Sequence, residues 1–138
     1  ADRTLVEQTT EYLESLKDLF VESVSAFNQL RGLTVGGVKI YGISNSESDF
    51  MLFRNGYKLI FSMKKPGQIG IRFAFQGAGI IPGSPAAENT LTNATNEDLL
   101  EARWGAFGEI AWFYRDKPVK ADFLVRYYTS RFIKESAK

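Results

Sequence analysis

The sequence predicts an α+β fold: a two-layer sandwich with a long N-terminal helix and a C-terminal helix packed on a mainly antiparallel sheet of about four or five strands. Three observations carry that prediction. Apolar residues recur every three or four positions at both ends of the chain, which is the period of a helix with one buried face. From Thr34 to Gln76 the period falls to two, and β-branched and aromatic residues take over. Asn55-Gly56 then sits between two alternating runs, where a tight hairpin needs residues that accept positive φ. The expected order is α-β-β-β-β-(α)-β-α, in a single domain covering residues 1–138.

The first helix is read from Leu5, Val6, Tyr12, Leu13, Leu16, Leu19, Phe20, Val24, Phe27 and Leu30, with Glu7, Glu11, Glu14, Asp18 and Glu22 off the apolar stripe. Asp2 is placed to cap its start and Gly32 to end it, giving a length of about 40 Å. Such a helix either lies along the whole sheet or overhangs it and pairs with a second subunit. Val38 and Ile40 alternate in the first strand, and Ser44 to Ser48 form a polar turn. The Asn55-Gly56 turn then sets a register by counting. Arg54 faces Tyr57, Leu52 faces Leu59 and Phe50 faces Phe61 on one side, while Phe53 opposes Lys58 and Met51 opposes Ile60 on the other. Lys65-Pro66-Gly67 turns the chain again, and Ile69, Ile71, Phe73 and Phe75 continue the apolar face.

Gly77 to Asn93 carries Gly77, Gly79, Pro82, Gly83 and Pro85 and is expected to be a loop, long enough to serve as a lid or binding loop. It ends on Asn93-Ala94-Thr95, a tripeptide of the glycosylation type that also arises by chance. Thr95 and Asp98 have capping-box spacing, so a short helix with Leu99, Leu100 and Ala102 is expected, ending at Trp104-Gly105. Phe107 to Arg115 reads as a central strand, apolar on both faces: Ile110, Trp112 and Tyr114 on one, Phe107, Glu109, Ala111 and Phe113 on the other. Asp116 and Pro118 open the last helix, whose stripe is Phe123, Leu124, Tyr127, Tyr128, Phe132 and Ile133.

Composition excludes more than it selects. The chain has no histidine and no cysteine. It therefore lacks the side chain that titrates near neutrality unperturbed, the thiolate nucleophile, and the usual zinc, copper, haem and iron–sulfur ligands. No cofactor is expected, and no histidine-based switch between pH 5 and 8. A formal net charge of +1 and the absence of a long apolar run give no membrane span and no global attraction to nucleic acid. A soluble protein is expected, with the cytoplasm slightly favoured over export. The chain opens on Ala1, which fits initiator removal, trimming or signal cleavage alike.

Charge is nonetheless uneven: residues 2–31 hold six acidic and three basic side chains, residues 115–138 seven basic and three acidic. Side-by-side helices would neutralise one another. A nucleic-acid surface would use Arg115, Lys117, Lys120, Arg126, Arg131 and Lys134 with Tyr127 or Tyr128 stacking, but both tyrosines fall in the apolar stripe and are expected in the core. Glu109 is the one carboxylate expected inside a strand, where an Arg72–Glu109 cross-strand pair explains it better than a catalytic acid does. Gly77-Ala78-Gly79 lacks the lysine and helix of a phosphate loop.

If both helices cover one sheet face, Met51, Phe53, Ile60, Ala74, Ala111 and Phe113 are left on the other among Lys58, Arg72 and Glu109, whereas one helix on each face would leave nothing exposed. The first reading is a non-enzymatic binding domain that forms a homodimer through this face or the long helix. The second is a protein that binds a small apolar or aromatic ligand in a pocket under the 77–93 loop, lined by Trp104, Trp112, Tyr114 and nearby phenylalanines. A carboxylate enzyme using Glu109 and a nucleic-acid binder come after these.

Overall fold

One helix, seven strands and a final helix follow one another in the computed structural model, which describes residues 4–31, 36–75 and 97–137. Helix α1 is Leu5–Arg31; the strands are β1 Lys39–Gly42, β2 Phe50–Arg54, β3 Tyr57–Lys65, β4 Gln68–Phe75, β5 Asp98–Trp104, β6 Ile110–Tyr114 and β7 Lys117–Pro118; helix α2 is Ala121–Ser136. All strands join one antiparallel sheet in sequence order, β1 to β7. The two-helix, antiparallel α+β class is as the sequence predicts, but the sheet has seven strands rather than four or five.

The β2–β3 hairpin adopts the register counted from its turn, with Phe50 opposite Phe61, Met51 opposite Ile60, Leu52 opposite Leu59, Phe53 opposite Lys58 and Arg54 opposite Tyr57. Asn55 and Gly56 both take positive φ, 53° and 83°, as a type I′ turn requires. Two additional strands account for the higher count. The segment expected as a short helix is β5: Leu100 pairs opposite Ile69 and is buried, Ala102 is half-buried, and Leu99, Glu101 and Arg103 face the other way. The residues have good helix propensity, but the unsatisfied edge of β4 offers a ladder that outweighs it. The second is β7. Arg115 and Asp116 form a two-residue turn at φ 50° and 66°, and Lys117–Pro118 pairs back on β6 before α2 begins. Proline fits there because β7 is an edge strand whose outer side needs no donor. Strand β6 is thus next to an edge, not central.

Both helices pack on one face, bringing Leu13, Leu16 and Phe20 of α1 and Phe132 of α2 onto Phe50, Leu52, Leu59, Phe61, Ile69 and Ile71, all of them essentially inaccessible. Phe61 is the centre: its ring stacks on Phe50 at 4.8 Å, tilts against Phe20 at 4.9 Å and meets Tyr128 edge-on at 5.9 Å. Helix α1 runs along the sheet rather than past it. Its start is held by Thr9, whose Oγ1 accepts the Gly67 amide at 2.8 Å, and its end by Asn28, which exchanges two 2.9 Å hydrogen bonds with the Val38 backbone. The cap observed is Thr4, whose hydroxyl accepts the Glu7 amide at 3.1 Å; the expected Asp2 and Gly32 lie outside the described residues, as do the 77–93 loop and Thr95. Among the described residues no helix is long and apolar enough to cross a membrane.

Candidate functional site

Helix α2 presents a wider apolar stripe than the sheet can cover. Leu124, Val125, Tyr128 and Phe132 are buried, whereas Phe123 and Tyr127, one turn apart, are 57% and 58% exposed. Their rings form one wall of a cleft of about 580 Å³ between the first turns of α2 and strands β5 to β7. The opposite wall is Leu100, Tyr114, Pro118 and Val119; Leu124 and Tyr128 also line it, and Lys120 is the charged lining residue. The volume is in the range that holds one small organic molecule.

Beside this cleft the two tyrosines share one carboxylate. Tyr114 donates its hydroxyl to Asp98 Oδ1 at 3.1 Å and Tyr128 donates to Oδ2 at 2.6 Å. The three residues come from β6, α2 and β5, so the cluster exists only once the sheet extends past β4 and the last helix docks. Burial, then the hydrogen bond and charge of Asp98, push the Tyr128 phenol far above its ordinary value. Tyr114 moves the same way, through burial and Asp98, against an opposing effect from Arg115. Both phenols are therefore neutral donors across the physiological range, and the carboxylate is already hydrogen-bonded on both oxygens. The arrangement anchors a wall of the cleft.

The residues singled out in the sequence are divided among several places. Tyr114 lines this cleft. Trp112 belongs to a neighbouring hollow of about 410 Å³, with Gln8, Glu11, Ser15, Ile110 and Tyr12, whose ring stacks on Trp112 at 4.6 Å. Trp104 is 57% exposed at the end of β5, outside either lining. Neither of these two clefts joins Trp104, Trp112 and Tyr114, and the 77–93 loop expected to cover them lies outside the described residues.

Met51, Phe53, Ile60, Arg72 and Phe113 do share the face opposite the helices, with Lys58, Ala74 and Ala111. That face is less open than the alternation implies: Ile60 and Ala74 are buried, Met51, Phe53 and Phe113 half-buried, and the Arg103 guanidinium lies 4.5 Å over the Phe113 ring.

Glu109 is not in a strand. It is exposed in the β5–β6 turn, where its carboxylate accepts the Phe107 amide at 2.8 Å and lies over Gly105, a position any Cβ would obstruct. Nor can it pair with Arg72, because Ile71 is opposite Asp98 and Ile110 is opposite Trp104. The two side chains sit at opposite ends of β5, about 20 Å apart at ~3.3 Å per residue. Among the described residues no group of three carboxylates is placed to hold a metal ion.

Absent from the ligand or interface residues expected from the sequence are Leu100, Pro118, Val119, Lys120, Phe123, Leu124, Tyr127 and Tyr128 of the lining, and Asp98 beside it. One signal was available for two of them, since Phe123 and Tyr127 make the apolar stripe of α2 broader than a single contact requires. Tyr127 was expected in the core with Tyr128; only Tyr128 is there. Comparison with protein-family models, with curated proteins and with solved structures finds no match to this chain.

Proposed function

We propose that the protein is a binding domain that takes a small apolar or aromatic ligand in the cleft between α2 and strands β5–β7. The observation that carries this reading is the pair of exposed rings, Phe123 and Tyr127, facing an apolar wall across about 580 Å³. Leaving two aromatic rings in water costs hydrophobic free energy of roughly 25 cal/mol per Å² of apolar surface, which a ligand seated between them would recover. The Asp98 bonds to Tyr114 and Tyr128 hold two of the walls in place, which limits the ordering cost of binding.

The test is titration with N-phenyl-1-naphthylamine, a neutral fluorophore that brightens in apolar sites; an added fluorophore is preferable to intrinsic emission because Trp104 and Trp112 lie outside the lining. Saturable 1:1 enhancement is expected, with Kd raised at least tenfold in Phe123→Asp, a substitution at an exposed position. Equal binding by that variant would place the ligand elsewhere.

A second reading, self-association through the sheet face opposite α1 and α2, is supported by the packing of these two helices on one side. It is weaker because Ile60 and Ala74 are already buried within one chain.

A further inference from the structure

We infer that the ligand of this cleft is an amphiphilic carboxylate, apolar along its body, with its anionic group held at the α2 end by Lys120. This rests on the proposed binding function and adds a sign and an orientation to it.

Charge is distributed unevenly around an otherwise apolar space. Lys120 is the charged side chain of the lining. Two further cations sit on lining rings, with the Arg126 guanidinium 5.4 Å from the Phe123 ring and Arg115 5.1 Å from that of Tyr114. The neighbouring carboxylates offset them only in part, because a hydrogen bond from a neutral donor leaves a carboxylate its charge whereas an ion pair cancels it. Asp122 accepts the amide of Phe123 at 3.0 Å, Asp116 is paired with Arg103, and Asp98 is engaged by Tyr114 and Tyr128. Potential thus runs from negative beside Asp98 to positive at Lys120. An anionic head is repelled by the first and attracted by the second, whereas a cationic head is repelled by Lys120 and by the two guanidinium groups over the lining rings. The apolar walls exclude a ligand that is polar along its length.

Three probes with one tail and different heads separate this inference from the reading beneath it: dodecanoate and dodecyltrimethylammonium, each below its micellar concentration, and dodecanol below its solubility limit, titrated by calorimetry at low salt. Expected is 1:1 binding with dodecanoate roughly tenfold tighter than dodecanol and dodecyltrimethylammonium weakest, the spread narrowing at high salt. Lys120→Gln should weaken dodecanoate about threefold or more and leave dodecanol unchanged, a split that a structural role for Lys120 would not produce. Equal affinities, all reduced by Phe123→Asp, would overturn the head-group inference and leave the cleft standing as an apolar site. Tightest binding of dodecyltrimethylammonium would reverse its sign. Failure of all three to bind would remove both the inference and the site.

Discussion

Tyr12 shows how a single hydroxyl sets a stability balance. Its ring stacks on Trp112 at 4.6 Å and 10°, yet its hydroxyl is enclosed with no hydrogen-bond partner among the described residues. A buried donor left unpaired costs roughly 1–3 kcal/mol, so the stacking and packing must exceed that cost. Tyr12→Phe is therefore expected to unfold at the same denaturant concentration at pH 7 or a higher one; a loss above ~1 kcal/mol would show that the hydroxyl is bonded after all. Burial also raises the phenol to about 12. An unfolded tyrosine ionises near 10, so between about pH 10 and 12 the unfolded chain releases a proton that the folded chain keeps, and stability falls by roughly 2–3 kcal/mol across that window. Below pH 10 the contribution is fully present. Tyr12→Phe should flatten part of this decline, with the rest due to Tyr114 and Tyr128, which shift in the same direction.

At the scale of elements, the β2–β3 hairpin does more than turn the chain: it closes the C-terminal end of α2. Asn55 Nδ2 donates to the Ser136 carbonyl at 2.7 Å, and Arg54, buried over the Phe27 ring, donates to the Ile133 carbonyl at 3.3 Å. The last carbonyls of a helix lack intrahelical partners and carry partial negative charge, so a guanidinium and an amide there are doubly suited. Asn55 also holds φ at 53°, which most side chains resist. Two substitutions separate the effects: Asn55→Ala should cost about 2 kcal/mol, Asn55→Gly only about 1 kcal/mol because the backbone angle is restored and the hydrogen bond alone is lost. Equal costs in chemical denaturation would mean the turn conformation contributes nothing. The hairpin was legible because everything that fixes it lies within a few residues. The role of its turn as a cap for α2 was not, because Ser136 is eighty-one positions away.

Considered as a whole molecule, the sheet is protected at its edges and carries half-buried apolar side chains on its second face. Strand β1 has four residues and β7 has two, including Pro118, so neither offers a long ladder to another chain. Self-association through the second face would use Met51, Phe53, Ile60 and Phe113, with Tyr41, 43% exposed, in edge contact with Phe53 at 6.2 Å. Light scattering across a wide concentration range decides this. If the face is an interface, a dimer forms and Phe53→Asp dissociates it without loss of fold; a monomer at every concentration removes the dimer reading and leaves the cleft as the functional surface.

By itself the sequence determined the two amphipathic helices, the β2–β3 register, the inward faces of β3, β4 and β6, and the absence of histidine and cysteine chemistry. Each is a matter of period, local turn residues or composition. Only the tertiary structure decided that Asp98–Trp104 is a strand, since its alternation of Leu100 and Ala102 against Leu99, Glu101 and Arg103 is too short to overrule helix propensity until β4 presents an edge. It likewise moved Glu109 into a turn and joined Asp98, Tyr114 and Tyr128. Those three residues come from β5, β6 and α2. A site assembled across separate elements leaves no period and no spacing in the chain, because what brings its members together is the packing of one element on another.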